Sequence, residues 1–335
     1  MTGMEWQPDI LGAPFAQLTL PLGDDGEGPV VATLVRSLPA LPARVVGPLA
    51  HVDVLAVHGW SDYFFQRELA RFWTSRGARF HALDLRKYGR SLRPGQTPGD
   101  IADLDAYDED IEAALTAIGH GAGAVTPPRR RLVLLGHSTG GLVLTLWAAR
   151  HRGRAQALVL NSPWLELQLG AIGRQALAPL VAARARVEPR GAHPMVDLGY
   201  YTRAQTEVGA LPVPGYREDW RPARGFRTHP GWLAAVLTGH RRIAAGVDVG
   251  CPALVLLSAR STPPLAWSEA MTSSDSVLVV DDIARAATRI GRVVTIARID
   301  GALHDVFLSR PEPRATAFRT LAEWIRPTIN FVHPA

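Results

Sequence analysis

A chain of 335 residues, 47% of them hydrophobic, is too apolar for a disordered polymer and long enough to bury a large core, as one α/β domain with an insertion or as two domains. Its single cysteine, Cys251, excludes an intrachain disulfide and a thiolate metal cluster and is expected to pack beside a strand. The net charge of +5 is spread over scattered arginines with short clusters only at 129–131 and 241–242, so a nucleic-acid partner is not expected.

No run approaches the length of a membrane span. Residues 1–15 carry Glu5 and Asp9 where a secretory leader would be basic and then apolar, so the expected location is the cytoplasm. Residues 15–21 and 30–36 read as two strands joined by the acidic, glycine-rich turn 23–28, a hairpin at a sheet edge. Pro39, Pro42 and Pro48 mark a loop, and the run 52–57, apolar but for Asp53, reads as a strand covered on both faces.

That strand runs into His58-Gly59-Trp60-Ser61-Asp62. Glycine there lets the backbone approach a substrate, and the Trp60 N–H is placed to serve as an oxyanion donor. A plain turn with Asp62 capping the next helix accounts for the same residues, and His58 reads as a structural turn residue. Phe64, Leu69, Phe72 and Trp73 give that helix its apolar face; residues 78–85 follow as a strand and 87–91 as a tight loop. Ile101, Leu104, Tyr107, Ile111, Leu115 and Ile118 recur at helical spacing, which predicts a helix capped by Asp100 with the acidic residues of 103–112 turned to water. Pro127 and Pro128 close that segment.

The most informative stretch is 131–149. An apolar run ends in Gly136-His137-Ser138-Thr139-Gly140-Gly141 and continues into an apolar helix. A serine at the apex of so sharp a strand-to-helix turn requires residues without bulk on both sides. The turn exposes the Ser138 hydroxyl to a base and leaves the Thr139 N–H at a helix N-terminus as a second oxyanion donor. A glycine-rich turn with an idle serine is the competing possibility.

Residues 155–161 give another strand, and the strand–helix alternation argues a parallel sheet. Leu165, Leu169, Ile172, Leu177 and Leu180 have helical spacing. From 189 to 230 the chain is rich in Pro, Gly, Trp and Tyr without a period. The division expected is a core of 1–161 and 236–335 with an insertion at 162–235, its aromatic residues forming a lid over a lipophilic pocket or a small satellite core. Residues 252–258 and 292–298 read as strands, 281–290 and 315–325 as helices.

An activated serine needs a base and an acid that orients the base, and the expected chain order is serine, acid, histidine. His193 and His229 sit in the insertion, His240 precedes a core strand and His333 is terminal. His304 directly follows a core strand, in Asp300-Gly301-Ala302-Leu303-His304-Asp305, and is assigned as the base; a loop histidine bonded to Asp305 is the alternative. The acid is expected after strand 252–258, but residues 259–264 hold no carboxylate. Asp275 ranks first, then Asp281, Asp282 and Glu269, with Glu166 behind them; a turn or cap role for Asp275 competes.

With these residues placed, the chain resembles the α/β-hydrolase superfamily, in particular its lysophospholipase and monoacylglycerol lipase-like branch, also described as serine aminopeptidase-like. Residues 58–60 resemble the family's oxyanion loop, 84–91 the loop after its next strand, 136–140 its nucleophile elbow and 301–304 its histidine loop. The resemblance implies an α/β-hydrolase fold, a mostly parallel sheet flanked by helices with an inserted, mainly helical cap. It also implies hydrolysis of a carboxylic ester of a small-molecule or lipid substrate, without a cofactor or metal. Trp164, Leu165 and His137, adjoining the elbow, are the expected substrate-binding residues, and the oligomeric state is left open. Aminopeptidase or cofactor-free haloperoxidase chemistry on the same residues, or a binding protein of this fold, are the alternatives. A Rossmann dehydrogenase is not supported, because the first βα turn lacks G-x-G-x-x-G.

Overall fold

The computed structural model describes residues 5–123, 129–167, 171–191 and 197–331. Its centre, among the described residues, is a nine-stranded sheet with the spatial order β1 (Gln7–Pro8), β2 (Phe15–Asp25), β3 (Gly28–Ser37), β5 (Arg79–Asp84), β4 (Val52–Val57), β6 (Arg131–His137), β7 (Ala157–Asn161), β8 (Ala253–Ser258), β9 (Val294–Ile299). β4 (Val52–Val57), β7 (Ala157–Asn161) and β8 (Ala253–Ser258) are buried at every position, and β6 (Arg131–His137) at all but the first. Strands apolar at successive positions present side chains on both faces, so both faces need cover. α2 (Arg67–Thr74) and α9 (Pro311–Phe331) contribute Leu69, Trp73, Leu321 and Ile325 to one core. α3 (Tyr107–Ala117), α4 (Thr139–Arg150), α7 (Pro230–Ala245) and α8 (Val280–Ala287) contribute Ile111, Trp147, Trp232 and Ile283 to the other.

β5 (Arg79–Asp84) through β9 (Val294–Ile299) pair in parallel. β2 (Phe15–Asp25) and β3 (Gly28–Ser37) form the expected antiparallel hairpin. The edge is however supplied by β1 (Gln7–Pro8), too short to leave a period in the sequence. The expected loop with Pro39, Pro42 and Pro48 contains a short helix, α1 (Leu41–Val46), whose proline sits in the first turn where its missing N–H costs nothing.

Three expectations are corrected. α2 begins at Arg67 and not near Asp62, because Ser61 adopts φ 51° and the Asp62 carboxylate lies 3.0 Å from the Arg221 guanidinium. Asp100 caps no helix; it pairs with Arg190 at 2.8 Å, and Asp103 caps the short turn ahead of α3 instead. Asp110 does not face water: it is fully buried and held by Arg86 at 2.6 Å.

Within residues 162–235, α5 (Ala171–Val187) exposes Leu180 and buries Val181, so the expected apolar stripe is displaced by one position there. α6 (Tyr200–Glu207) lies in the stretch that shows no period. Leu169, His193, His333, Pro127 and Pro128 lie outside the described residues. Among the described residues no helix is long and apolar enough to cross a membrane. Cys251, ahead of β8, is packed so that burial pushes its thiol up to about 12.

His81, on β5, is buried between strands, and burial lowers its pKa from 6.5 to about 4. The unfolded chain therefore binds this proton more tightly. The stability conferred by the neutral ring is complete above pH 6.5 and is lost as pH falls toward 4, by about 3 kcal/mol. His81→Leu is expected to flatten the acid limb of the stability curve in that window. Urea unfolding at pH 7 and pH 4.5 measures it, and an unchanged difference between the two pH values would contradict this assignment.

Candidate active site

The parallel strands end along one edge of the sheet, and the loops leaving that edge build the site. Ser138 follows β6 as the N-cap of α4, with φ 51° and ψ −118°, a conformation that costs a non-glycine residue on the order of 1–3 kcal/mol. Its neighbours show why they are glycines. A Cβ on Gly140 would lie 2.2 Å from the His58 carbonyl oxygen, one on Gly136 2.6 Å from Gly141 Cα, and one on Gly59 3.0 Å from Ser138 Cβ. The elbow can pack against the end of β4 because those atoms are missing.

His304 lies beyond β9. Its Nε2 is 3.0 Å from Ser138 Oγ, and its Nδ1 is 2.8 Å from Asp275 Oδ2. Asp275 is fully buried, and its other oxygen, Oδ1, accepts the N–H groups of Val277 at 2.7 Å and Leu278 at 2.8 Å. The carboxylate thus both closes a turn and faces the imidazole. It reaches this place because the chain leaves β8, makes an excursion and returns: the Asp275 N–H donates to Arg260 O, the Thr262 N–H donates to Asp275 O, and Ser261 and Asp275 form an isolated parallel bridge.

Two of the rival carboxylates are engaged elsewhere and a third faces outward. Asp281 pairs with Arg298 at 2.6 Å, Asp282 with Arg285 at 2.9 Å, and Glu269 is exposed in a single helical turn. Asp305, the other candidate partner of His304, instead accepts from Asn161 Nδ2 at 2.7 Å and the Phe307 N–H at 2.9 Å.

The Trp60 and Thr139 N–H groups have no acceptor among the described residues, and at Thr139, which is buried, an unpaired main-chain donor is rare. His58 stays structural: its Nε2 accepts the Leu85 N–H at 3.1 Å, so Nδ1 carries the hydrogen and donates to Gly59 O at 2.8 Å. His137 is bonded through Nδ1 to Asn161 O at 3.0 Å, its ring 5.0 Å from that of His304. Burial lowers its pKa, which favours the neutral ring. The Trp164 N–H donates to Ser138 O at 2.9 Å while its indole meets Trp232. Leu165 packs into the core beneath them. Among the described residues no cluster of three or more His, Cys, Asp or Glu side chains is arranged to hold a metal ion.

A family model described as serine aminopeptidase, S33, matches residues 50–310. The chain belongs to the S33 serine aminopeptidase family. Relatives of this S33 chain include a monoacylglycerol lipase of Mycolicibacterium smegmatis, 28% identical over 135 residues that make up 40% of this chain and 43% of that protein. Another is the phospholipase YtpA of Bacillus subtilis, 30% identical over 118 residues, 35% of this chain and 42% of that one. The matched region spans less than half the length of either relative.

Two solved structures show the same fold. One is the monoacylglycerol lipase of Paleococcus ferrophilus, with a TM-score of 0.62 at 18% identity over 88% of this chain and 99% of that one. The other is a soluble variant of the Saccharomyces cerevisiae monoglyceride lipase, with a TM-score of 0.62 at 13% identity over 98% of each chain. The S33 chain thus has the α/β-hydrolase fold of these two structures.

Further residues support the S33 site from outside the expected set. Tyr201 presents its ring edge to His304 at 5.5 Å, and its hydroxyl accepts the Asp305 N–H at 3.0 Å. Asn161 clamps the histidine loop by donating to Asp305 and accepting the Val306 N–H at 3.1 Å. The end of β7 was a signal for Asn161, since an amide closing an otherwise apolar strand calls for a partner. Tyr201 lies in a segment without periodicity, where its aromatic ring signalled only a lid or a satellite core.

Proposed function

We propose that the protein is a serine hydrolase that cleaves carboxylic esters of lipophilic acyl groups through an acyl-enzyme. The observation that carries the proposal is the unbroken line from Ser138 Oγ through His304, 3.0 Å on one side of the ring and 2.8 Å on the other, to a buried carboxylate. Ser138 Oγ attacks the ester carbonyl as His304 Nε2 takes its proton. Asp275 Oδ2 accepts Nδ1–H, which fixes the tautomer and stabilises the imidazolium. The oxyanion falls to the unpaired N–H groups of Trp60 and Thr139. His304 then gives its proton to the departing alcohol. Water repeats the sequence on the acyl-serine, so that ester and water become acid and alcohol.

Acyl specificity falls to Trp164, Leu165 and His137 and to the aromatic insertion as a lid. Trp60, Trp164 and Trp232 form one apolar cluster beside the nucleophile, with the Trp60 and Trp232 rings 3.8 Å apart. The lipase and phospholipase names of the relatives favour esters over amides. The S33 family description supplies the second reading, removal of an N-terminal amino acid from a peptide.

The test is a panel of aryl esters of graded chain length, monoacylglycerols and aminoacyl arylamides, together with a fluorophosphonate probe. Labelling confined to Ser138 and turnover of esters over arylamides are expected. Preference for the arylamides would transfer the same residues to peptide cleavage. Absence of labelling in folded protein would leave a binding protein of this fold.

A further inference from the structure

The oxyanion loop after β4 and the histidine loop after β9 leave different strands, and one cap residue lies between them. Arg221 is 6% exposed, and its guanidinium has a partner in each direction. Nε lies 3.0 Å from Asp62 Oδ1, two residues beyond Trp60, and Nη2 donates to Gln205 Oε1 at 2.7 Å. That bond fixes the Gln205 amide, whose Nε2 donates at 2.9 Å to the Tyr201 hydroxyl. The same hydroxyl accepts the N–H of Asp305, next to His304, while the ring stands edge-on to the imidazole. Nη1 donates to Tyr216 Oη at 3.2 Å, and the Phe65 and Tyr201 rings flank the guanidinium, each at 5.7 Å.

We infer that Arg221 is a positioning residue: it holds the oxyanion loop and the histidine loop at their working separation, so the reaction centre is assembled only while residues 200–226 of the insertion are seated.

The seating has further bonds on the oxyanion side. The Phe226 N–H donates to Ser61 Oγ at 2.9 Å, and the Arg217 N–H to Tyr63 Oη at 2.6 Å. These two reach the oxyanion loop alone. The chain Asp62–Arg221–Gln205–Tyr201 continues across to the main chain beside the base. A buried charge is costly to maintain, and its removal from one side strands the other. Arginine sets one end of its planar charge beside Asp62 while Nη2 donates to Gln205 at the other, a combination that a lysine ammonium does not reproduce. Arg221 touches neither Ser138 nor His304, so its effect on rate runs through the distance between the donors and the base. A misplacement of about 1 Å at that centre costs on the order of 10²-fold in rate.

This role rests on the serine-hydrolase reading, and the experiment separates the two. The fluorophosphonate labelling rate of Ser138, and kcat and KM for a short-chain aryl ester, are measured in the wild type, Arg221→Met and Arg221→Lys. The expected result is a fall on the order of 10²-fold in labelling rate and kcat for Arg221→Met, with KM for the small ester unchanged. Arg221→Lys is expected to restore part of the loss.

The double variant Asp62→Asn/Arg221→Met removes the stranded carboxylate, so it should recover stability without recovering kcat. Tyr201→Phe cuts the chain at its far end without touching a charge. It should lower kcat on the order of tenfold, which keeps the inference open to refutation if Arg221→Met fails to fold. A folded Arg221→Met, or Tyr201→Phe, with wild-type labelling and kcat overturns the positioning role. So does a double variant that regains full kcat. A wild type whose Ser138 takes no label overturns the hydrolase reading itself.

Discussion

Replacing Ser138 by alanine is expected to lower ester turnover by a factor on the order of 10⁶, with an unfolding curve that overlays that of the native protein. The hydroxyl is held toward His304 Nε2 at 3.0 Å and makes no other side-chain hydrogen bond among the described residues. Its removal takes away the attacking atom and little packing. Alanine inherits the same φ of 51°, so the strain of the elbow is present in both proteins. His304→Ala is expected to cost a comparable factor, and the double variant no more than either single one, because the two groups act as one unit. Residual turnover above about a hundredth of the native value in Ser138→Ala would point to a different nucleophile, as so small a loss is outside what a serine triad shows.

The second large effect is expected at Asp275. In Asp275→Asn the amide oxygen can keep the turn by accepting the Val277 and Leu278 N–H groups, which now meet Oδ1 at 2.7 and 2.8 Å. The amide nitrogen then faces His304 Nδ1 and donates where the carboxylate accepted. The imidazole is forced into the tautomer with its hydrogen on Nε2, pointing at the serine it has to deprotonate. A loss of about 10⁴-fold in kcat with the fold retained is expected. Asp281→Asn breaks a contact with Arg298, whose partners are both partly exposed, and should leave kcat within about twofold. Near-native turnover in Asp275→Asn would remove it from the mechanism.

The parallel sheet was legible because a doubly covered strand must be apolar almost throughout, as residues 54–57 and 132–135 are. The sharp turn at Ser138, the candidate nucleophile, was legible because few turns between a strand and a helix, apart from a nucleophile elbow, call for glycine at both 136 and 140. Asp275 was harder. Its place depends on a bridge to Ser261 that brings a looped-out chain back to β8, and no local pattern encodes such a return. Asp62 shows the opposite failure. Its propensity to cap a helix is real, but a buried guanidinium from a distant segment outweighs a local preference worth about 1 kcal/mol. Arg221 is one arginine among many, and nothing in its sequence neighbourhood sets it apart.

Trp164, just past β7, and Trp232, in the first turn of α7, have ring centroids 5.8 Å apart, and the Trp164 carbonyl accepts from His240 Nε2 on the same helix at 2.8 Å. The excursion between them therefore begins and ends at one doorway. Closing a loop whose ends are already fixed depends only logarithmically on its length, about 0.6 kcal/mol for each doubling. Segments of quite different size could be exchanged at this doorway at little expense to the sheet below. Under the proposed mechanism, diversification of substrate preference is then limited less by folding than by whether the incoming segment can reach down and brace the two loops that flank the candidate site.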